Sequence, residues 1–101
     1  MIVVRFKVQC QPDRTDEVMA AMADIVGPSR KLPGVLHFDV ARDVNDTNAV
    51  LALEVFDDRA ALENQESLLE VAKAMALFDG GALAAPPEYT IFEVSSAESP
   101  T

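Results

Sequence analysis

Apolar and polar residues alternate from residue 2 to residue 10. Ile2, Val4, Phe6, Val8 and Cys10 share one parity, and Val3, Arg5, Lys7 and Gln9 the other, the period-two signature of a strand. Pro12-Asp13 breaks it. The spacing then changes to three and four: Val18, Met22, Ile25, Val26, Ser29 and Leu32 form one stripe of a helix that runs to about Leu32. Asp13 or Thr15 can cap its start, with Asp16 and Glu17 in the favourable first turn, and Gly27-Pro28 is expected to kink the helix or end it early.

Pro33-Gly34 is a stop, and alternation returns. Leu36, Phe38 and Val40 oppose His37, Asp39 and Ala41 in a second strand over 35–42. Asp43 to Asn48, rich in Asn and Asp, reads as a hairpin-like turn. A third strand over 49–56 is apolar on both faces apart from Glu54, so it is covered on both sides. Asp57 or Asp58 caps a second helix over about 59–77, with Leu62, Gln65, Leu69, Ala72 and Ala76 near one line, and Asp79-Gly80-Gly81 ends it. After the Pro86-Pro87 loop comes a fourth strand over 89–94; residues 95–101 read as a loose polar tail to a single domain over 1–94.

The order β-α-β-β-α-β is the ferredoxin-like α+β pattern, a four-stranded antiparallel sheet with two helices on one face. The other face also carries apolar residues, and the economical cover is a second copy packed sheet to sheet by two-fold symmetry. A chain of 101 residues buries a modest core, which a homodimer would extend.

Composition narrows the partners. The net charge of −9 argues against nucleic acid, which needs clustered Lys and Arg, and against anionic membranes. No run is apolar enough to span a bilayer, the first residues do not read as a signal peptide, and the compartment expected is a reducing cytoplasm. Cys10 is the only cysteine, so no internal disulfide forms, and neither it nor the lone histidine, His37, belongs to a metal-ligand cluster; no metal is expected. Gly80-Gly81 does not follow a strand and is no phosphate loop.

Pro33-Gly34-Val35 opening the second strand, Leu53-Glu54-Val55-Phe56 closing the third and Asp57-Asp58-Arg59-Ala60-Ala61-Leu62-Glu63 opening the second helix resemble the antibiotic biosynthesis monooxygenase domain, over residues 2–94. The resemblance implies a dimeric ferredoxin-like protein. It also implies chemistry of the kind its members perform: cofactor-independent quinol-forming oxygenation, quinol monooxygenation or haem degradation. This chain has Phe56 where the family often has tryptophan, Gln65 and Glu70 where it often has histidines, and Lys7 near the asparagine of haem-degrading members. Without a histidine on the second helix haem iron has no axial ligand, so the haem branch is set aside.

The family's pocket lies between sheet and helices, which implies that Phe56 and Gln65 line it here. Parity then adds Glu54, and the mixed faces of the first two strands add Lys7, Arg5 and His37. Lys7 and Glu54 could act as a catalytic pair, Lys7 steadying a phenolate and Glu54 accepting a proton, or form a structural salt bridge. His37 could be a general base or a hydrogen-bonded strand residue. Gln65, the one polar interruption of its stripe, needs a protein partner, a water or a ligand. Arg5, Phe56 and Gln65 would bind the substrate. The function expected is a monooxygenase using dioxygen directly on a small electron-rich aromatic or quinol with no cofactor; the alternative is a non-catalytic dimeric binding or stress-related domain. A cavity of a few hundred cubic ångströms would favour the first, and a pocket packed solid by Phe56 and the helix methionines the second.

Overall fold

The computed structural model describes residues 1–100. Strand β1 spans Ile2–Gln9, helix α1 Thr15–Arg30, β2 Val35–Asp43, β3 Asp46–Phe56, α2 Arg59–Glu66, α3 Leu69–Leu77 and β4 Glu88–Glu93. All neighbouring strands are antiparallel, in the order β2-β3-β1-β4. This is the ferredoxin-like sheet that the alternating and helical patterns predicted. The helices cover one face, where Ile2, Val4, Val8 and Cys10 are buried, as the parity of β1 requires. One part of the core gathers around Val4, Phe38, Phe56 and Leu62, and another around Val8, Val18, Met22 and Val50. Residues 94–100 form no helix or strand, and Thr101, the last residue of the expected tail, lies outside the described residues.

Four local details depart from the expected pattern, each for an identifiable reason. Neither Asp13 nor Thr15 caps α1; the N-cap is Arg14, with no side-chain cap, because the Thr15 hydroxyl is turned to the Gln11 carbonyl and Asn48 Oδ1. Pro28 does not stop the helix at its own position. It sits in the last turn, and α1 runs on past it to Arg30, two residues short of the expected Leu32. The Asp43–Asn48 turn is tighter than expected. Asp43 and Asp46 each accept from a backbone N–H two residues on, leaving only Val44-Asn45 between the strands, so β3 begins at Asp46.

The fourth departure matters most. The second helix is two helices. Asp58 caps α2 by accepting from the Ala61 N–H at 2.9 Å, as predicted, but at Leu68 the backbone turns extended (φ −61°, ψ 142°) while Ser67 Oγ donates to the Asn64 carbonyl at 2.6 Å. No Gly or Pro marks this break. It resets the helical phase, so Val71 and Ala74 turn inward instead of Leu69, Ala72 and Ala76, and Leu69 is exposed. A π-helical turn, Phe78–Ala82, follows, with Gly81 at φ 92°.

Candidate active site

Between sheet and helices lies a cavity of about 90 Å³ to which every strand and helix contributes. Phe6, Phe38 and Ala52 come from the sheet, Met22 and Ile25 from α1, Val71, Ala74 and Met75 from α3, and Phe78 from the π turn. Polar groups enter at four points: Glu54 on β3, Gln65 and Glu66 on α2, and Tyr89 on β4. The strand register explains the sheet's share. Glu54 stands opposite Val4 on one side and Phe38 on the other, and Phe6 stands between Ala52 and Tyr89, so all of these point to the helix face. The Phe6 ring stacks on Phe78 at 6.1 Å and meets Tyr89 edge-on at 6.0 Å.

Glu54 is the site's unusual group. It is 8% exposed, and its oxygens are not sealed in the core but open to the cavity. Burial, and then the charge of Glu66, push its pKa up from 4.5 to about 7. At neutral pH it therefore exchanges readily between acid and base forms. At the rim the Tyr89 hydroxyl donates to Glu66 Oε2 at 3.4 Å; burial first, then the charges of Glu66 and Glu54, push the phenol to about 12, so it stays a neutral donor. Gln65 Nε2 donates to Ser29 Oγ at 3.0 Å, both side chains being buried, which joins α2 to the last turn of α1.

The expected site divides in two. Glu54 and Gln65 line the cavity, though the Gln65 amide has its partner inside the protein. Phe56 is fully buried in the core and is not part of the cavity wall. Lys7, Arg5 and His37 lie on the opposite, helix-free face of the sheet. The expected Lys7–Glu54 pair is not formed: in β1 odd residues face away from the helices, and Lys7 Nζ pairs with Asp43 at 3.4 Å. Arg5 reaches Glu88 at 3.7 Å, and His37 is exposed. A bulge at Leu36 decides the position of His37. Val35 pairs with Phe56 but His37 pairs with Val55, so Phe38 rather than His37 comes to stand opposite Glu54.

Glu66 and Tyr89 were missed. Tyr89 shares a row with Phe6, which its strand register alone would show; Glu66 reaches the rim because α2 ends there, and no sequence signal marks that end. Cys10 is buried, which pushes its thiol up and keeps it from nucleophilic use. Among the described residues no group of three or more His, Cys, Asp or Glu gathers in metal-binding geometry. No helix among them is long and apolar enough to cross a membrane.

The sheet order and the single helical layer put the molecule in the ferredoxin-like class, and known structures agree. Rv0793 from Mycobacterium tuberculosis superposes with a TM-score of 0.87 at 18% identity, covering 97% of this chain and 98% of that one. PA3566 from Pseudomonas aeruginosa gives 0.83 at 18% identity over 94% of each. A crystal structure described as an antibiotic biosynthesis monooxygenase gives 0.84 at 20% identity, over 95% of this chain and all of its own. The family model for antibiotic biosynthesis monooxygenases matches residues 1–77. The chain belongs to that family. A curated relative, the uncharacterized protein sll1783 of Synechocystis, is 34% identical over 62 residues, 61% of this chain; the chain spans only 42% of that relative's length.

Proposed function

We propose that the chain is a monooxygenase that uses dioxygen directly on a small single-ring phenol or hydroquinone, without a cofactor, with Glu54 as general base. The observation that carries this reading is an ionisable carboxylate opening into an apolar cavity with its pKa held near neutrality. Ionised Glu54 takes a ring hydroxyl proton, and the apolar walls leave the resulting anion poorly solvated and electron-rich. The anion reduces dioxygen: one oxygen atom becomes bonded to the ring, the other leaves as water, and the hydroquinone ends as a hydroxyquinone. Glu54 returns its proton to the departing oxygen. Tyr89, its one hydroxyl hydrogen given to Glu66, orients the substrate at the rim through its ring and the lone pairs of its oxygen.

The proposed assembly is a homodimer joined through the helix-free face. There Val3 stands between Val55 and Phe92 in one row, with Leu53 in the next and Leu51 beyond, and Leu53 and Phe92 are half exposed in the single chain. On this reading Lys7, Arg5 and His37 belong to the interface and its rim rather than to the chemistry.

A volume of 90 Å³ is below that of usual small-molecule sites, and it favours a second reading, a binding domain without turnover. Oxygen uptake with a panel of hydroquinones, metal chelator present, separates the two. The monooxygenase reading expects protein-dependent uptake with hydroxyquinone formation, reduced by roughly a hundredfold or more in Glu54→Gln. Uptake unaffected by that substitution, or none across a panel whose members bind, rejects it in favour of the binding domain.

A further inference from the structure

Charge inside the cavity is unbalanced. Glu54 and Glu66 both line it, and no Lys, Arg or His does among the described residues. The nearby guanidinium of Arg59 is committed to Glu93 at 2.9 Å. Glu54, more than nine-tenths buried, has no cation or hydrogen-bond donor acting on it; the influences on its carboxyl, burial and the charge of Glu66, both disfavour ionisation. An ionised carboxylate so placed is costly to bury alone, and a ligand that brings a positive charge removes that cost. The walls supply the second half of a cation site. Phe6 packs against both Phe78 and Tyr89 at about 6 Å, and these three rings line the same cavity as the two carboxylates. An anionic ring entering the same space meets two like charges and no counter-charge.

We propose that this cavity selects single-ring aromatic molecules bearing an ammonium group, the ring seated among Phe6, Phe38 and Phe78 and the ammonium between Glu54 and Glu66. An ammonium held at Glu54 occupies the group that the monooxygenase reading uses as its base, so the inference goes beyond that reading and shares with it only the cavity as the binding site. The protein's net charge of −9 favours the approach of such a cation from solution.

Three probes of nearly one shape test it: benzylamine, benzyl alcohol and benzoate, titrated at pH 8 with chelator present and followed by amide chemical shifts of the cavity residues. Benzylamine is expected to bind roughly tenfold or more tighter than benzyl alcohol, and benzoate more weakly than either. Glu66→Gln alters an exposed rim residue and should lessen the preference with the fold intact, which circular dichroism checks. Glu54→Gln with Glu66→Gln should erase it. The proposal is overturned by benzoate binding as tightly as benzylamine, by a preference that survives the double substitution, or by no binding of any probe up to about 10 mM. Because no oxygen chemistry is read, benzylamine selectivity can stand when hydroquinone turnover is absent, and turnover can stand when the selectivity is absent.

Discussion

Between pH 4.5 and about 7 the folded chain holds a proton on Glu54 that the unfolded chain has released. A pKa raised by folding contributes stability that is complete below the unfolded value and lost as pH rises through the folded one. The window here runs from 4.5 to about 7, and the loss amounts to roughly 3 kcal/mol at higher pH. Glu54→Gln keeps the shape and removes the charge. It should therefore raise unfolding stability at pH 8 by up to roughly 3 kcal/mol and change it little at pH 4, as denaturant titration at the two pH values would measure. Equal effects at both would mean that the carboxylate is solvated. A substitution that stabilises the fold while stopping turnover is the pattern expected where a strained group is kept for its chemistry.

At the scale of elements, the strands were more legible than the helices. Period-two alternation set the faces of β1, and the same alternation already placed Lys7 away from Glu54; the expectation that they meet ignored it. The Leu36 bulge was not legible, because one extra residue among Val35, Leu36 and His37 leaves the composition of the strand unchanged, yet it exchanged His37 for Phe38 beside Glu54. The Ser67–Leu68 break was hidden for a similar reason: the residues there are ordinary helix formers or neutral, and only the tertiary fit of α3 against α1 shows the change of phase. The turn into β2 was legible in Gly34, and the structure adds the reason. Its φ is 81°, and a Cβ there would stand 2.8 Å from Ala61 Cβ on α2. Gly34→Ala is thus strained and clashes with the first turn of the helix that carries Gln65 and Glu66. A loss of about 2–3 kcal/mol is expected in thermal or chemical unfolding. A neutral result would show that α2 can shift outward freely.

At the scale of the whole molecule, the two faces of the sheet differ in what covers them. The helix face encloses the cavity; the open face carries Val3, Leu51, Leu53, Val55 and Phe92, the surface of the proposed homodimer. A charge placed there should act on assembly alone. Leu53→Asp is expected to convert a sedimenting dimer to monomer, with association weakened roughly tenfold or more, while the fold persists. A wild-type chain that sediments as a monomer would exclude the sheet-to-sheet dimer. The cavity walls carry a different consequence. They are drawn from all four strands and all three helices, so the pocket cannot come apart piecemeal while the rest of the molecule stays folded. Occupancy and global unfolding are then linked by mass action: a molecule present at a hundred times its Kd adds about 2.7 kcal/mol to the stability of the whole chain. The melting curve of this protein is in that sense a detector for whatever the cavity binds, and libraries of candidate molecules can be ranked by it.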